Sequence, residues 1–175
     1  MDGAAETDGG CALVVVATDQ QTSPLWLRDR LALEGTAAHA FLDTLRACGV
    51  DRGLVVAGGE RVAVLAAGDA CDSVRGRVLD ALAAWSGEAR ETLDPAFYVL
   101  DGAEAVRHLF ATAAALDNHI MGEAHHLETA HTAAREAGMV DPALEALLQA
   151  PDRLAAFVDE AFDFDEADFD DAFAE

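Results

Sequence analysis

The 175-residue sequence predicts an α+β domain, an antiparallel four-stranded sheet built in the order β-α-α-β-β-α-β and followed by extra C-terminal helices. Three observations carry that expectation. Residues 11–18, 53–57 and 61–67 are short runs dominated by Val, Leu and Ala, and residues 97–100 (FYVL) add an aromatic-apolar run, the character of strands. The segments between them repeat apolar side chains at helical spacing. Gly58-Gly59 leaves almost no chain between the second and third strands, so these pair as a hairpin, adjacent glycines supplying the positive φ angles that such turns want.

The elements follow in order. Residues 1–10 (MDGAAETDGG) are acidic and Gly-rich and read as a disordered start. CALVVVAT, residues 11–18, is a β-branched run suited to a central strand buried on both faces. Asp19-Gln20-Gln21 ends it, and Ser23-Pro24 starts a helix over residues 25–33 carrying Arg28 and Arg30, since proline is tolerated in a first turn. A second helix over about 36–47 turns Phe41, Leu42 and Leu45 inward and stops near Gly49. After the hairpin GLVVA and RVAVLAA, a helix over about 72–85 packs Val74, Val78, Leu79, Leu82 and Trp85. A loop through Gly87 and Asp94-Pro95 then leads to the strand 97–100. This is the ferredoxin-like split βαβ order, with helices expected on one face of the sheet.

Asp101-Gly102 turns the chain into a helix bearing Val106, Leu109, Phe110, Ala113 and Leu116 on one face. The helix breaks around Asp117-Asn118, passes Gly122 and reopens at Glu123 into a run to about Ala137, which Gly138 caps. A short helix over 142–150 ends at Pro151. The expected division is therefore a domain over 11–150 and a tail over 151–175. That tail holds ten acids against Arg153, interleaved with Phe157, Phe162, Phe164, Phe169 and Phe173. It reads either as a terminal helix folded onto the domain or as an acidic-aromatic segment that orders on a partner.

Composition narrows the function classes. The formal net charge is -22, all eleven basic residues are Arg, and 52% of residues are hydrophobic, so the chain folds rather than staying an acidic coil. It reads as a salt-adapted, halophilic-type cytoplasmic protein kept soluble by its acidic surface, or as an acidic protein that seeks a basic partner. Eleven Arg against thirty-three acids argue against tRNA and DNA as partners, because a phosphate backbone is held by Lys and Arg. Cys11, Cys48 and Cys71 are odd in number and form no CxxC pair, so neither a disulfide framework nor a zinc knuckle follows. No signal peptide and no membrane span are expected.

Three stretches carry chemistry. DQQTSPLWLRDRL, with Thr22, Pro24, Leu27, Arg28 and Arg30, LVVAGGER at the hairpin, and AVRHLFATAAALDNHIMGE together resemble the N-terminal catalytic domain of glutamyl-tRNA reductases, which start tetrapyrrole synthesis. The resemblance spans about Ala12 to Ala150. In that family the second strand ends Ser-Thr-Cys-Asn-Arg, and the later block reads Ala-Val-x-His-Leu, Gly-Leu-Asp-Ser and Gly-Glu. It implies a cysteine thiolate that attacks the aminoacyl ester of glutamyl-tRNA, and hydride from NADPH that reduces the thioester.

Here the nucleophile position is Gly59, and the neighbouring family Thr and Asn positions read Gly58 and Glu60. A residue without side-chain atoms cannot form the covalent intermediate, and Cys48 and Cys71 are not expected to replace it. Arg61 matches the family's substrate-binding arginine, suited to a bidentate carboxylate contact; otherwise it is a surface arginine at a strand start. His108 matches a family active-site histidine that could move a proton or polarise a carbonyl, or else it is a hydrogen-bonded core residue. Asp117, Gly122 and Glu123 match as well, and equally form a helix end, its turn and an acidic first turn. Asn118 stands at a family Ser, and His125 and Thr129 at family Gln positions, all implied to contact substrate. The implied pocket is thus Gly58, Gly59, Glu60, Arg61, His108, Asn118, Glu123, His125 and Thr129.

His119, His125, His126 and His131 crowd one short region. Imidazole suits a metal or haem, which makes His125, His126 and His131 weak ligand candidates. Two ligands on one helix face want a spacing of three or four, and these lie five and six apart, so solvated helix histidines are the simpler reading. Working reductases continue through a spinal helix into a Rossmann NADPH domain and a dimerisation domain. This sequence has no GxGxxG after a strand, and DEAFDFDEADFDDAFAE stands where the family is basic.

The expected function is that of a stand-alone, catalytically inactive relative of the reductase N-terminal domain. It would bind or regulate in tetrapyrrole (haem and porphyrin) synthesis, with no cofactor on this chain and with the intact reductase or another pathway enzyme as partner. The alternatives are retained glutamyl-tRNA chemistry using NADPH from a separate chain, and a haem or metal sensor.

Overall fold

Near-continuous apolar runs place the sheet at the centre of the protein. The structure, a computed structural model, describes residues 12–58, 61–113 and 123–150. β1 (Ala12–Thr18) lies between β3 (Arg61–Gly68) and β4 (Tyr98–Asp101), and β2 (Arg52–Gly58) pairs on the outer side of β3, giving the order β2-β3-β1-β4. Every pairing is antiparallel, with Val16 opposite both Val64 and Val99. β1 and β2 therefore run parallel with β3 between them, which is the split βαβ arrangement the element order predicts. One local expectation is corrected. Gly58 pairs with Arg61, so it closes β2 as a strand residue and the connection consists of residues 59–60.

The expectation of helices on one face is also corrected. Strand side chains alternate between faces, and here both sets are apolar. Val14, Val16, Val55, Val62, Val64 and Ala66 meet a layer formed by α1 (Leu25–Arg30), α2 (Thr36–Ala47) and α3 (Cys71–Ser86), including Leu27, Phe41, Leu45, Val78 and Leu82. Leu13, Val15, Ala17, Leu54, Val56, Ala63 and Leu65 meet a second layer. It comprises α5 (Gly102–Ala113), α6 (Glu123–Glu136) and a run over 142–150, here α7. The physical reason is direct: a sheet apolar on both faces has to be covered twice.

Between α3 and β4 the expected loop contains a one-turn helix, α4 (Arg90–Leu93), and a 3-10 turn over Asp94–Ala96, anchored by the fully buried Leu93. α1 is shorter than predicted, although Leu31 and Leu33 beyond it are still buried. Pro24 sits just ahead of the helix in extended geometry, and the turn before it is knitted by Asp19, whose Oδ1 accepts from the Gln21 and Thr22 amides at 2.8 and 3.0 Å. Phe41 and Trp85 pack edge to face at 5.6 Å, joining α2 to α3.

Gly138, at φ +68°, ends α6. The next corner is bound to β2 in two places. The Gly53 amide donates to the Met139 carbonyl at 3.0 Å, and Arg52 pairs with Asp141 at 2.9 Å. Asp141 is also the N-cap of α7, its Oδ1 accepting from the Leu144 amide at 2.8 Å with Pro142 in the first turn. Among the described residues no helix is long and apolar enough to cross a membrane. The expected disordered start and the acidic tail over 151–175 lie outside the described residues.

Candidate functional site

The hairpin end of β2 and β3, α5 and the first turns of α6 enclose a cleft. Strand alternation puts Val56, Ala63 and Leu65 on one face as its apolar floor, and the buried Leu109 and Leu127 form its walls. Gly58, Arg61, His108, Thr112 and His126 supply the polar side. The remaining space is about 20 Å³, room for about one water molecule.

Each polar side chain is positioned by its element. His108 and Thr112 are one helical turn apart on α5, and the buried Thr112 hydroxyl donates to the His108 carbonyl at 2.9 Å. That bond uses the hydroxyl's proton and leaves its oxygen able to accept. The His108 ring, half-buried, packs edge to face with Tyr98 on β4, with centroids 6.3 Å apart and 79° between planes. Arg61, also half-buried, is the first residue of β3, opposite Gly58. His126 lies over Gly58: a Cβ placed on that glycine would come 2.6 Å from Cε1 and Nε2 of the imidazole.

Of the residues singled out from sequence, Gly58, Arg61 and His108 are brought together. Thr129 is exposed on α6 and does not line the cleft. Gly59, Glu60 and Asn118 lie outside the described residues, as do the side chains of Glu123 and His125 at the start of α6. The reading from sequence missed Thr112 as a lining residue and took His126 only as a metal candidate. Helix phase carries the missing signal: Leu127, Ala130 and Ala134 face the sheet, a phase that brings position 126 inward and turns 129 away.

Of the histidine-rich region, the described side chains His126 and His131 do not converge. His126 faces the cleft, whereas His131 donates from Nε2 to Glu145 at 2.8 Å and so joins α6 to α7. That bond, helped by Arg135 and Gln149, holds the Glu145 carboxyl below its ordinary range. Among the described residues no group of three or more His, Cys, Asp or Glu is arranged to hold a metal ion. Cys48 and Cys71 pack against the first helical layer, across the sheet from the cleft, and neither lines it. The arrangement offers a guanidinium and two imidazoles above an apolar floor, which suits holding and orienting a small polar group. Its described lining contains no thiol.

Comparison with known proteins gives a consistent picture. The family described as glutamyl-tRNAGlu reductase, N-terminal domain, matches residues 16–161. The chain is 37% identical over 140 residues to a glutamyl-tRNA reductase of Rhodospirillum rubrum, covering 78% of this chain and 32% of that protein. A second such reductase, from Syntrophus aciditrophicus, is 35% identical over 128 residues, covering 71% and 30%. In structure the chain is similar to the glutamyl-tRNA reductase from Methanopyrus kandleri, with a TM-score of 0.63 at 21% identity over 85% of this chain and 34% of that one, a likeness of fold. The chain spans about a third of the length of the curated relatives it matches.

Proposed function

We propose, because the chain belongs to the glutamyl-tRNAGlu reductase N-terminal domain family, that it serves tetrapyrrole synthesis as a binding domain and not as an acyl-transfer catalyst. The observation that carries this reading is the meeting of Arg61 and His108 in one cleft beside a hairpin whose position 59 is glycine. Arg61 would hold a carboxylate, with a planar fork of donors matched to two oxygens. His108, steadied by Tyr98, would orient a neighbouring carbonyl or hydroxyl.

Capture of an acyl group as a thioester needs a sulfur atom at the hairpin. The resemblance places that sulfur at position 59, where this chain has none, and Cys48 and Cys71 pack across the sheet. The cleft can therefore hold without converting. Its partner in this reading is an intact glutamyl-tRNA reductase or another enzyme of the pathway, and any NADPH is bound on that partner.

Two measurements test this. Mixing the protein with an intact glutamyl-tRNA reductase at native salt should yield a complex by size-exclusion chromatography and a changed reduction rate; no complex and no change would overturn the binding role. Supplied alone with glutamyl-tRNA and NADPH, the protein should form no aldehyde above the blank. Aldehyde formation abolished by His108→Ala would overturn the inactive assignment.

A further inference from the structure

His126 and Gly58 interlock. A methyl group on Gly58 would meet Cε1 and Nε2 of the ring at 2.6 Å and Cδ2 at 2.8 Å, well inside the ~3.5–4.0 Å of ordinary carbon contacts. Gly58 is a strand residue and is not among the positive-φ glycines, so its backbone angles do not call for glycine. What the position needs is the absence of a side chain, because the imidazole occupies that volume. While α6 keeps its phase, with the next residue Leu127 buried against the sheet, the His126 backbone stays beside Gly58, so only rotation of the side chain can take the ring out of that volume. With the ring in place the cleft bordered by Arg61 and His108 keeps about 20 Å³, room for about one water.

We propose that His126 is the internal stopper of this cleft: its imidazole fills the slot over Gly58, and a ligand group enters only when the ring turns out of that slot about its two side-chain torsions. The proposal rests on the reading of the cleft as a ligand site and adds the residue that controls access to it. The slot is the size of a five-membered ring. It therefore admits a flat or unbranched group of that size and rejects a branched one, because the strand backbone at Gly58 forms its far wall.

The first test is a titration of the full chain with imidazole, the shape of the group removed, followed through the backbone amide signals of Ala63, Thr112 and Leu127. His126→Ala should take up imidazole at least tenfold more tightly than the unchanged protein. Equal affinity in the two proteins overturns the stopper. A parallel titration with L-glutamate separates the two readings. If neither protein responds to glutamate while His126→Ala takes up imidazole, the ligand assignment falls and the stopper stands.

A second measurement does not depend on that variant folding. Gly58→Ala puts a methyl group into the slot and evicts the ring, so diethyl pyrocarbonate should modify His126 several-fold faster than in the unchanged protein. The half-exposed His39 serves as the internal standard. An unchanged rate at His126 overturns the proposal.

Discussion

Gly58→Ala is the substitution whose sign is most diagnostic of how the cleft is packed. Judged by its strand alone, alanine should be favoured there by about 0.5–1 kcal/mol, because glycine loses more backbone freedom on folding. The structure reverses that expectation. The new methyl would lie about 0.9 Å too close to two atoms of the His126 ring. Either the strand yields or the ring leaves, and forced overpacking of this kind costs about 1–3 kcal/mol. The net effect ranges from near zero to a destabilisation of about 2.5 kcal/mol. In a His126→Ala background the clash is gone and the same substitution should be neutral or stabilising. The coupling between the two positions is then about 1–3 kcal/mol. Urea unfolding of the four proteins at one fixed salt concentration measures it, as shifts in midpoint at unchanged slope. If Gly58→Ala costs the same in both backgrounds, to within the ~0.5 kcal/mol expected of independent sites, the interlock is refuted.

Other outcomes follow from other parts of the molecule. Asp141→Ala removes the N-cap of α7 together with the Arg52 pair and should cost about 1–2 kcal/mol, whereas Asp141→Asn, which keeps the cap, should cost less; thermal melts of both compare them. The Leu144 amide first, and then Arg52, hold the Asp141 carboxyl below its ordinary 3.8, and His131 does the same for Glu145 relative to 4.5. In both cases the unfolded chain takes up protons first as the pH drops. Their contributions are therefore complete at neutral pH and are lost below about pH 4.5 as the folded carboxylates protonate, so Tm between pH 6 and 3 should fall less steeply in Asp141→Asn/Glu145→Gln than in the unchanged protein. Phe41→Ala empties a fully buried site against Trp85 and should cost about 3–5 kcal/mol by denaturant titration, with the cleft's ligand response retained.

The strands and most helices were legible because each rests on a local pattern: a β-branched run in β1, a glycine-marked hairpin, an apolar repeat in α2 and α3. Two-sided burial was legible for β1 alone, while the element order pointed to helices on one face of the sheet. In the structure Val14 and Val15, on opposite faces, are equally buried, and that parity requires a second helical layer. α4 and the 3-10 turn are too short to show any period, and they form because Leu93 has a place in the core. Arg61 and His108 could be singled out as a pair by family resemblance, although they are far apart in the chain. His126 could not be found in this way, since its role depends on a contact with a glycine sixty-eight positions earlier, and Gly58 looked like turn chemistry for the same reason. A small residue chosen to make room for a distant ring leaves no local trace.

β2 and α6 run in opposite directions; the ties Gly53 to Met139 and Arg52 to Asp141 fasten one end, and Gly58 and His126 face each other at the other. Mechanically this is a pair of tweezers with its rivet about 17 Å from the tips, the length of five strand residues. At that leverage a rotation of about 5° at the rivet parts the tips by ~1.5 Å, enough to give a methyl group at position 58 an ordinary contact with the ring. Loosening the Arg52–Asp141 clasp should therefore be felt at the jaws, far from where the bond was cut.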